Sequence, residues 1–124
     1  MKHTILGLRT VIYTVKDIRQ ATDWYSKVFE TIPYFNEPYY VGFNIAGYEL
    51  GLEPKSDSTS DKADSVTAYW GVLDVQTAFD RMLSLGATAH EKPTNVGGDI
   101  MVATVKDLWG NNIGLVYNPE FKLS

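Results

Sequence analysis

The chain of 124 residues contains no cysteine. Disulfides, thiolate zinc sites and a cysteine nucleophile are thereby excluded, while the redox compartment stays open. Long apolar runs are missing too: none approaches the roughly 20 residues that a membrane-spanning helix needs. The opening residues, Met1-Lys2-His3-Thr4-Ile5-Leu6-Gly7, have neither the apolar core nor the cleavage site of a secretory signal. A cytoplasmic protein is the expectation. There is no basic stripe either. The 11 Lys and Arg are scattered singly among 15 Asp and Glu, giving a net charge of -4 and a pI near 5.0. Nucleic acid and membrane are therefore set aside as partners. An acidic balance suits a cationic ligand, although it commonly serves solubility alone. Histidine is scarce, with only His3 and His90.

What is present is an ordinary globular composition, 44% hydrophobic and 21% charged, enough for one domain with a real core. It also carries an internal repeat. Laying Thr10–Asp23 over Thr67–Asp80, an offset of 57, matches five of 14 positions: Thr10/Thr67, Val15/Val72, Asp17/Asp74, Ala21/Ala78 and Asp23/Asp80. The identities fall at structurally telling places and point to a duplicated module. Each copy opens with an alternating segment, Leu8–Val15 or Val66–Val72, read as a strand. A helix follows, with Asp17 or Asp74 as N-cap and Gln20 completing a capping-box pattern. Apolar stripes run through Ile18, Ala21, Tyr25 and Val28, and through Val75, Ala78, Phe79, Met82 and Leu85, with Gly86 as a left-handed C-cap. Three further strands close each copy, about 32–35, 39–45 and 48–53 in the first and 88–91, 100–106 and 112–117 in the second. Module 1 thus spans about 5–54, a polar linker 55–65, and module 2 about 66–118.

The order strand, capped helix and three strands, twice over, resembles the glyoxalase/bleomycin-resistance/dioxygenase (vicinal oxygen chelate) superfamily. Three motifs carry the resemblance: Val15-Lys16-Asp17 followed by Asp23-Trp24-Tyr25; Tyr48-Glu49-Leu50-Gly51-Leu52; and Asp107-Leu108-Trp109-Gly110-Asn111-Asn112-Ile113-Gly114-Leu115, where Leu108 replaces the family's usual proline. The resemblance implies an α+β fold in which two βαβββ modules form a cleft between curved mixed sheets. It also implies buried residues facing the helices: Val11, Tyr13, Val15, Leu50, Leu52, Ala68, Trp70, Val72, Ile113 and Leu115. Family members commonly pair as dimers, so a homodimer is expected.

Metal-dependent members of that family hold a divalent ion on inner-strand His, Gln or Glu. The matching positions here are Thr10, Glu49, Thr67 and Gly114. Neutral hydroxyls and a glycine are poor donors for a catalytic ion, which usually has about three protein ligands. Neither histidine fills the gap: His3 is near the terminus, and His90 has no neighbouring donor in the pattern. No metal or other cofactor is expected. Glu49 is the one candidate catalytic residue, as a general base. The alternative is a carboxylate solvated or hydrogen-bonded to a Tyr or Thr, since no partner acid or base is evident. Asp17, Asp74 and Asp107 read as capping and turn residues. Thr10, Ile12, Tyr40, Glu49, Thr67, Tyr69, Trp109 and Gly114 are the candidate ligand-binding set. Its aromatic, mildly acidic character suits a small organic molecule, aromatic or cationic. Two functions stay open: a metal-free small-molecule-binding protein like the bleomycin-binding members, or a lyase/isomerase or extradiol-type dioxygenase with a non-standard or absent metal site.

Overall fold

The computed structural model describes residues 8–55 and 66–121. His3 and nearly all of the expected linker lie outside them. The described residues fall into two compact units, one on either side of residue 58. No helix among them is long and apolar enough to cross a membrane.

In the first unit the order is β1 (Thr10–Val15), α1 (Ile18–Val28), β2 (Phe35–Glu37), β3 (Tyr40–Ile45) and β4 (Tyr48–Pro54). The sheet runs β1-β4-β3-β2, with β1 parallel to β4 and the other pairs antiparallel. The Asp17 carboxylate accepts the Gln20 N–H at 3.0 Å and starts α1, satisfying one of the donors a helix leaves free at its first turn. Ala21, Tyr25 and Val28 of the anticipated stripe are buried, together with Trp24, against Tyr13, Val15, Val41, Phe43, Leu50 and Leu52. Tyr25 stacks on Tyr13 at a centroid distance of 5.7 Å. Alternation along the strands leaves Thr10, Ile12, Gly42, Glu49 and Gly51 on the other, open face.

The second unit repeats the plan with β5 (Tyr69–Gly71), α2 (Val75–Ser84), β6 (Thr88–Gly97), β7 (Ile100–Lys106) and β8 (Asn112–Tyr117), in the sheet order β5-β8-β7-β6. Asp74 caps α2 through the Thr77 N–H. That bond, with a further one from the Thr77 side chain, holds the Asp74 carboxyl below its ordinary range. Val75, Phe79 and Met82 pack with Ala103, Val105, Ile113 and Leu115. Gly86 ends the helix at φ 111, a backbone region that disfavours a Cβ. Asp107 is buried and accepts from the Trp109 and Asn111 N–H groups, each at 2.8 Å, and from the Asn111 amide. It organises the β7–β8 turn, as its sequence position suggests.

Several expectations need correction. The second strand lies at Phe35–Glu37 rather than at 32–35, because Pro33 has no N–H for a ladder and pairing begins at Phe35 opposite Gly42. β6 runs to Gly97 instead of stopping at 91; it is an edge strand whose irregular register accommodates Pro93. Val11, Ala68, Trp70 and Val72 are half-buried rather than buried.

Candidate functional site

The open face of the first sheet gathers four polar side chains. Thr10 on β1 stands beside Glu49 on β4, since parallel pairing sets them in register. The Thr10 hydroxyl donates to Glu49 Oε1 at 2.9 Å, and the Tyr34 hydroxyl donates to Glu49 Oε2. The Tyr40 hydroxyl adds a third hydrogen bond to the same carboxylate. Tyr34 is the largest cause holding Glu49 below the usual carboxylate range, with Thr10 and Tyr40 adding to it and burial opposing. The phenols shift the other way. The bond to Glu49 raises Tyr34, and burial followed by the bond to Glu49 pushes Tyr40 up to about 12.

Two glycines make room for these rings. A Cβ at Gly51 would sit 2.7 Å from Tyr40 Cζ, and one at Gly42 would sit 2.8 Å from Glu49 Oε2 and 2.9 Å from Tyr34 Cε1. Any larger residue would push the phenols off the carboxylate. Phe35 extends the aromatic patch, with ring centroids 6.1 Å from Tyr39 and 6.3 Å from Tyr40. Ile12, opposite Gly51, adds an exposed apolar side chain.

Thr10, Ile12, Tyr40 and Glu49 of the candidate set therefore share one face. Tyr69 and Gly114 form a second pairing on the other unit, where a Cβ on Gly114 would lie 2.6 Å from Tyr69 Cδ1. Thr67 is not beside Gly114. The Glu49 N–H donates to Arg9 O, whereas the Gly114 N–H donates to Ala68 O, so Tyr69 takes the place next to Gly114 and Thr67 lies two residues earlier. A slip of two keeps every side chain on its face, which is why the repeat in sequence did not reveal it. Trp109 is half-buried in the β7–β8 turn.

Tyr34 is absent from the candidate set. It precedes the strand proper and reaches Glu49 through a chain path that no motif or spacing marks. His90 Nδ1 is 3.0 Å from Thr104 Oγ1, and the Thr104 hydroxyl donates to Glu91 at 3.1 Å.

A domain of two βαβββ units with its polar chemistry on open sheet faces is the class these observations define. The family model of the Glyoxalase/Bleomycin resistance protein/Dioxygenase superfamily matches residues 7–115, and the chain belongs to that superfamily. No match is found among the curated proteins. Solved structures with the same fold include a glyoxalase-related enzyme from Fulvimarina pelagi (15% identity, TM-score 0.77, covering 97% of this chain and 94% of that one). Another is the fosfomycin resistance protein FosX of Listeria monocytogenes, in complex with Mn(II) and sulfate (17%, TM-score 0.77, 94% of each chain). TioX from Micromonospora sp. ML1 is a third (16%, TM-score 0.67, 90% and 98%).

The divalent ion of the metal-dependent relatives does not fit the residues present. Both Glu49 oxygens already accept hydrogen bonds from hydroxyls, the Tyr69 ring covers the position a Gly114 side chain would need, and Thr10 and Thr67 offer only neutral hydroxyls. Among the described residues no three His, Asp or Glu side chains are grouped as a metal would require.

Proposed function

We propose that the protein binds a small organic cation carrying an aromatic or other apolar group, on the open face of the first sheet and without a metal. The observation that carries this reading is the state of Glu49. Its partners are three neutral hydroxyls, which hold the carboxylate ionised without cancelling its charge. A carboxylate has about four acceptor positions, so one remains for an N–H donor of the ligand. Tyr34, Tyr40 and Phe35 offer ring faces and edges at the same place, suited to stacking and cation–π contact. The same state argues against Glu49 as a general base, because a carboxylate held below its ordinary range is a poorer proton acceptor near neutral pH. The fosfomycin resistance protein FosX among the structural neighbours is in keeping with small-molecule chemistry on this fold.

The test compares aryl ammonium ions with neutral aryl alcohols of equal size by thermal shift and titration calorimetry. Glu49→Gln should weaken the ammonium ions by roughly tenfold, the scale of one charged hydrogen bond, and the alcohols much less. No saturable binding of either class, or equal effects on both, would overturn the reading. So would stoichiometric tight metal on elemental analysis together with turnover of a methylglyoxal–thiol adduct or a catechol. We further propose a homodimer, which would cover sheet edges otherwise open to aggregation. Sedimentation showing a monomer at tens of micromolar would count against it.

A further inference from the structure

The helix-facing side of the first unit holds a groove that its core does not fill. β2 is the outer strand of that sheet. Asn36 is opposite Val41, which is buried beneath α1, so alternation gives Asn36 a helix-facing position. An apolar residue there would close down on α1. The polar Asn36 stays exposed, and a cavity of about 460 Å³ opens between α1 and the end of β2. That volume lies within the range of small-molecule sites, roughly 300–1,000 Å³. The α1 wall presents Arg19, Thr22 and Asp23, the β2 wall Asn36 and Glu37, and Val41 is part of the floor. A wider opening continues past Asp23 and Asn36 toward Ser26 and Lys27.

The polar groups of this groove have bonding capacity to spare. Among the described residues the side chains of Arg19, Asp23 and Glu37 make no hydrogen bond or ion pair. Thr22 is a more restricted case. It is buried, and its hydroxyl proton is committed to the Ile18 carbonyl at 2.6 Å. Only lone pairs remain, so Thr22 can accept from a ligand and not donate. Along α1 the groove therefore offers a cation at Arg19, an acceptor at Thr22 and an anion at Asp23. Glu37 adds a second negative charge from the facing wall. The spacing selects a length. Arg19 and Asp23 are four residues apart, about 6 Å along the axis at 1.5 Å per residue. An extended chain advances about 3.3–3.6 Å per residue, so the charged ends of a dipeptide are about 7 Å apart. A single amino acid spans about half that distance, and a tripeptide about 10 Å.

We infer that this groove binds a dipeptide with both ends free. The ligand carboxylate pairs with Arg19, whose guanidinium presents a fork that matches two oxygens. The ligand ammonium has three N–H donors and lies among Asp23, Asn36 and Glu37. The single peptide N–H donates to Thr22 Oγ1, the acceptor that stands between the two charges. Val41 gives an apolar floor, and the wider opening leaves the first side chain of the ligand unconfined. The groove is on the helix side of the sheet, away from Glu49, and does not depend on the cation site of the open face.

The tests use the full chain at low ionic strength, where exposed charges are least screened. Titration calorimetry with alanylalanine as the probe should give saturable binding. N-acetylalanylalanine and alanylalanine amide each lack one charge and should bind roughly tenfold more weakly, the scale of one charged hydrogen bond. Alanine and trialanine should bind more weakly as well, because their ends do not match the spacing. Arg19→Gln should weaken alanylalanine roughly tenfold and leave the amide, which has no carboxylate to lose, nearly unchanged. Asp23→Asn should weaken alanylalanine and leave the N-acetyl compound nearly unchanged. Thr22→Val should weaken binding and Thr22→Ser should restore it. No saturable binding of alanylalanine, equal binding of alanine and trialanine, or an Arg19→Gln loss as large for the amide as for the free dipeptide would each overturn the inference. Arg19 and Asp23 are exposed, so their variants decide it even if Thr22→Val does not fold.

Discussion

Gly51→Ala tests whether the phenol and carboxylate arrangement is what the first sheet is built to present. The new methyl would start 2.7 Å from Tyr40 Cζ, with the phenol oxygen closer still, whereas ordinary contact begins at 3.4 Å. The ring must retreat by about 0.7 Å or more, a distance worked from those two values, and it carries its hydroxyl off Glu49. Tyr40 is a side chain at the open face, so it can yield without disturbing β4. A hydrogen bond to a charged group contributes about 1.5–3 kcal/mol when desolvated. Half-exposure discounts this to about 1 kcal/mol, or about 4 °C in Tm for a chain of this size. Ligand binding should suffer as well as folding. Loss of the ring as a wall costs about 0.5–1.5 kcal/mol, so affinity for an aryl ammonium ion should fall about 3- to 10-fold. Tyr40→Phe is the matched control: the ring stays, only the hydroxyl is lost, and affinity should hold while Tm falls slightly. Calorimetric titration and thermal unfolding of the three proteins read this directly. If Gly51→Ala binds and melts like the wild type, the ring does not form the wall of a site.

Glu49 should also leave a mark on acid stability. Its folded pKa lies below the unfolded value, so its contribution is present above the ordinary carboxylate range and is lost as pH falls through the folded value. Urea unfolding of wild type and Glu49→Gln should therefore differ near neutrality and converge in acid. Tyr40 acts at the other end. With its phenol pushed up to about 12 from an ordinary value near 10, its contribution is complete below about 10 and drains away between about 10 and 12, and alkaline absorbance titration should show Tyr40→Phe lacking a late-ionising phenol. Leu50 is fully buried, one residue from Glu49 but on the helix-facing side. Leu50→Ala should cost about 2–5 kcal/mol of stability in chemical denaturation, yet the protein that remains folded should bind the ligand nearly unchanged.

Most of the frame could be read from the sequence because local chemistry and long-range packing agree. Asp17 and Asp74 cap the helices that their spacing announced, and Leu50, Leu52, Ile113 and Leu115 are fully buried where alternation put them. The errors fell where alternation breaks. An apolar run, Ile32-Pro33-Tyr34-Phe35, outweighed the polar Asn36 and Glu37 that actually pair. A bulge at His90 cannot be distinguished from ordinary alternation without its partner strand. The carboxylate cluster was visible only in part. Glu49 stood out by motif and its hydroxyl partners were foreseen as a type, but Tyr34 reaches it through tertiary structure alone.

The two open faces show how one duplicated frame separates its stability from its chemistry. The rows that pack on α1 and α2 are apolar and centred on the fully buried Leu50, Leu52, Ile113 and Leu115, and they tolerate little change. The alternate rows carry Thr10, Glu49 and Gly51 in one unit and Tyr69, Thr104 and Gly114 in the other. Because neighbouring positions on a strand face opposite ways, Gly51 can be emptied for Tyr40 between two core leucines, Leu50 and Leu52, that do not move. The second unit slips by two residues between β5 and β8 without exposing Ile113 or Leu115. Glu49 can thus be a hydroxyl-bound carboxylate on one sheet, and Gly114 a glycine under a tyrosine ring on the other. Each is a local change on an open face, and neither requires the helices, their caps or the buried rows to change with it.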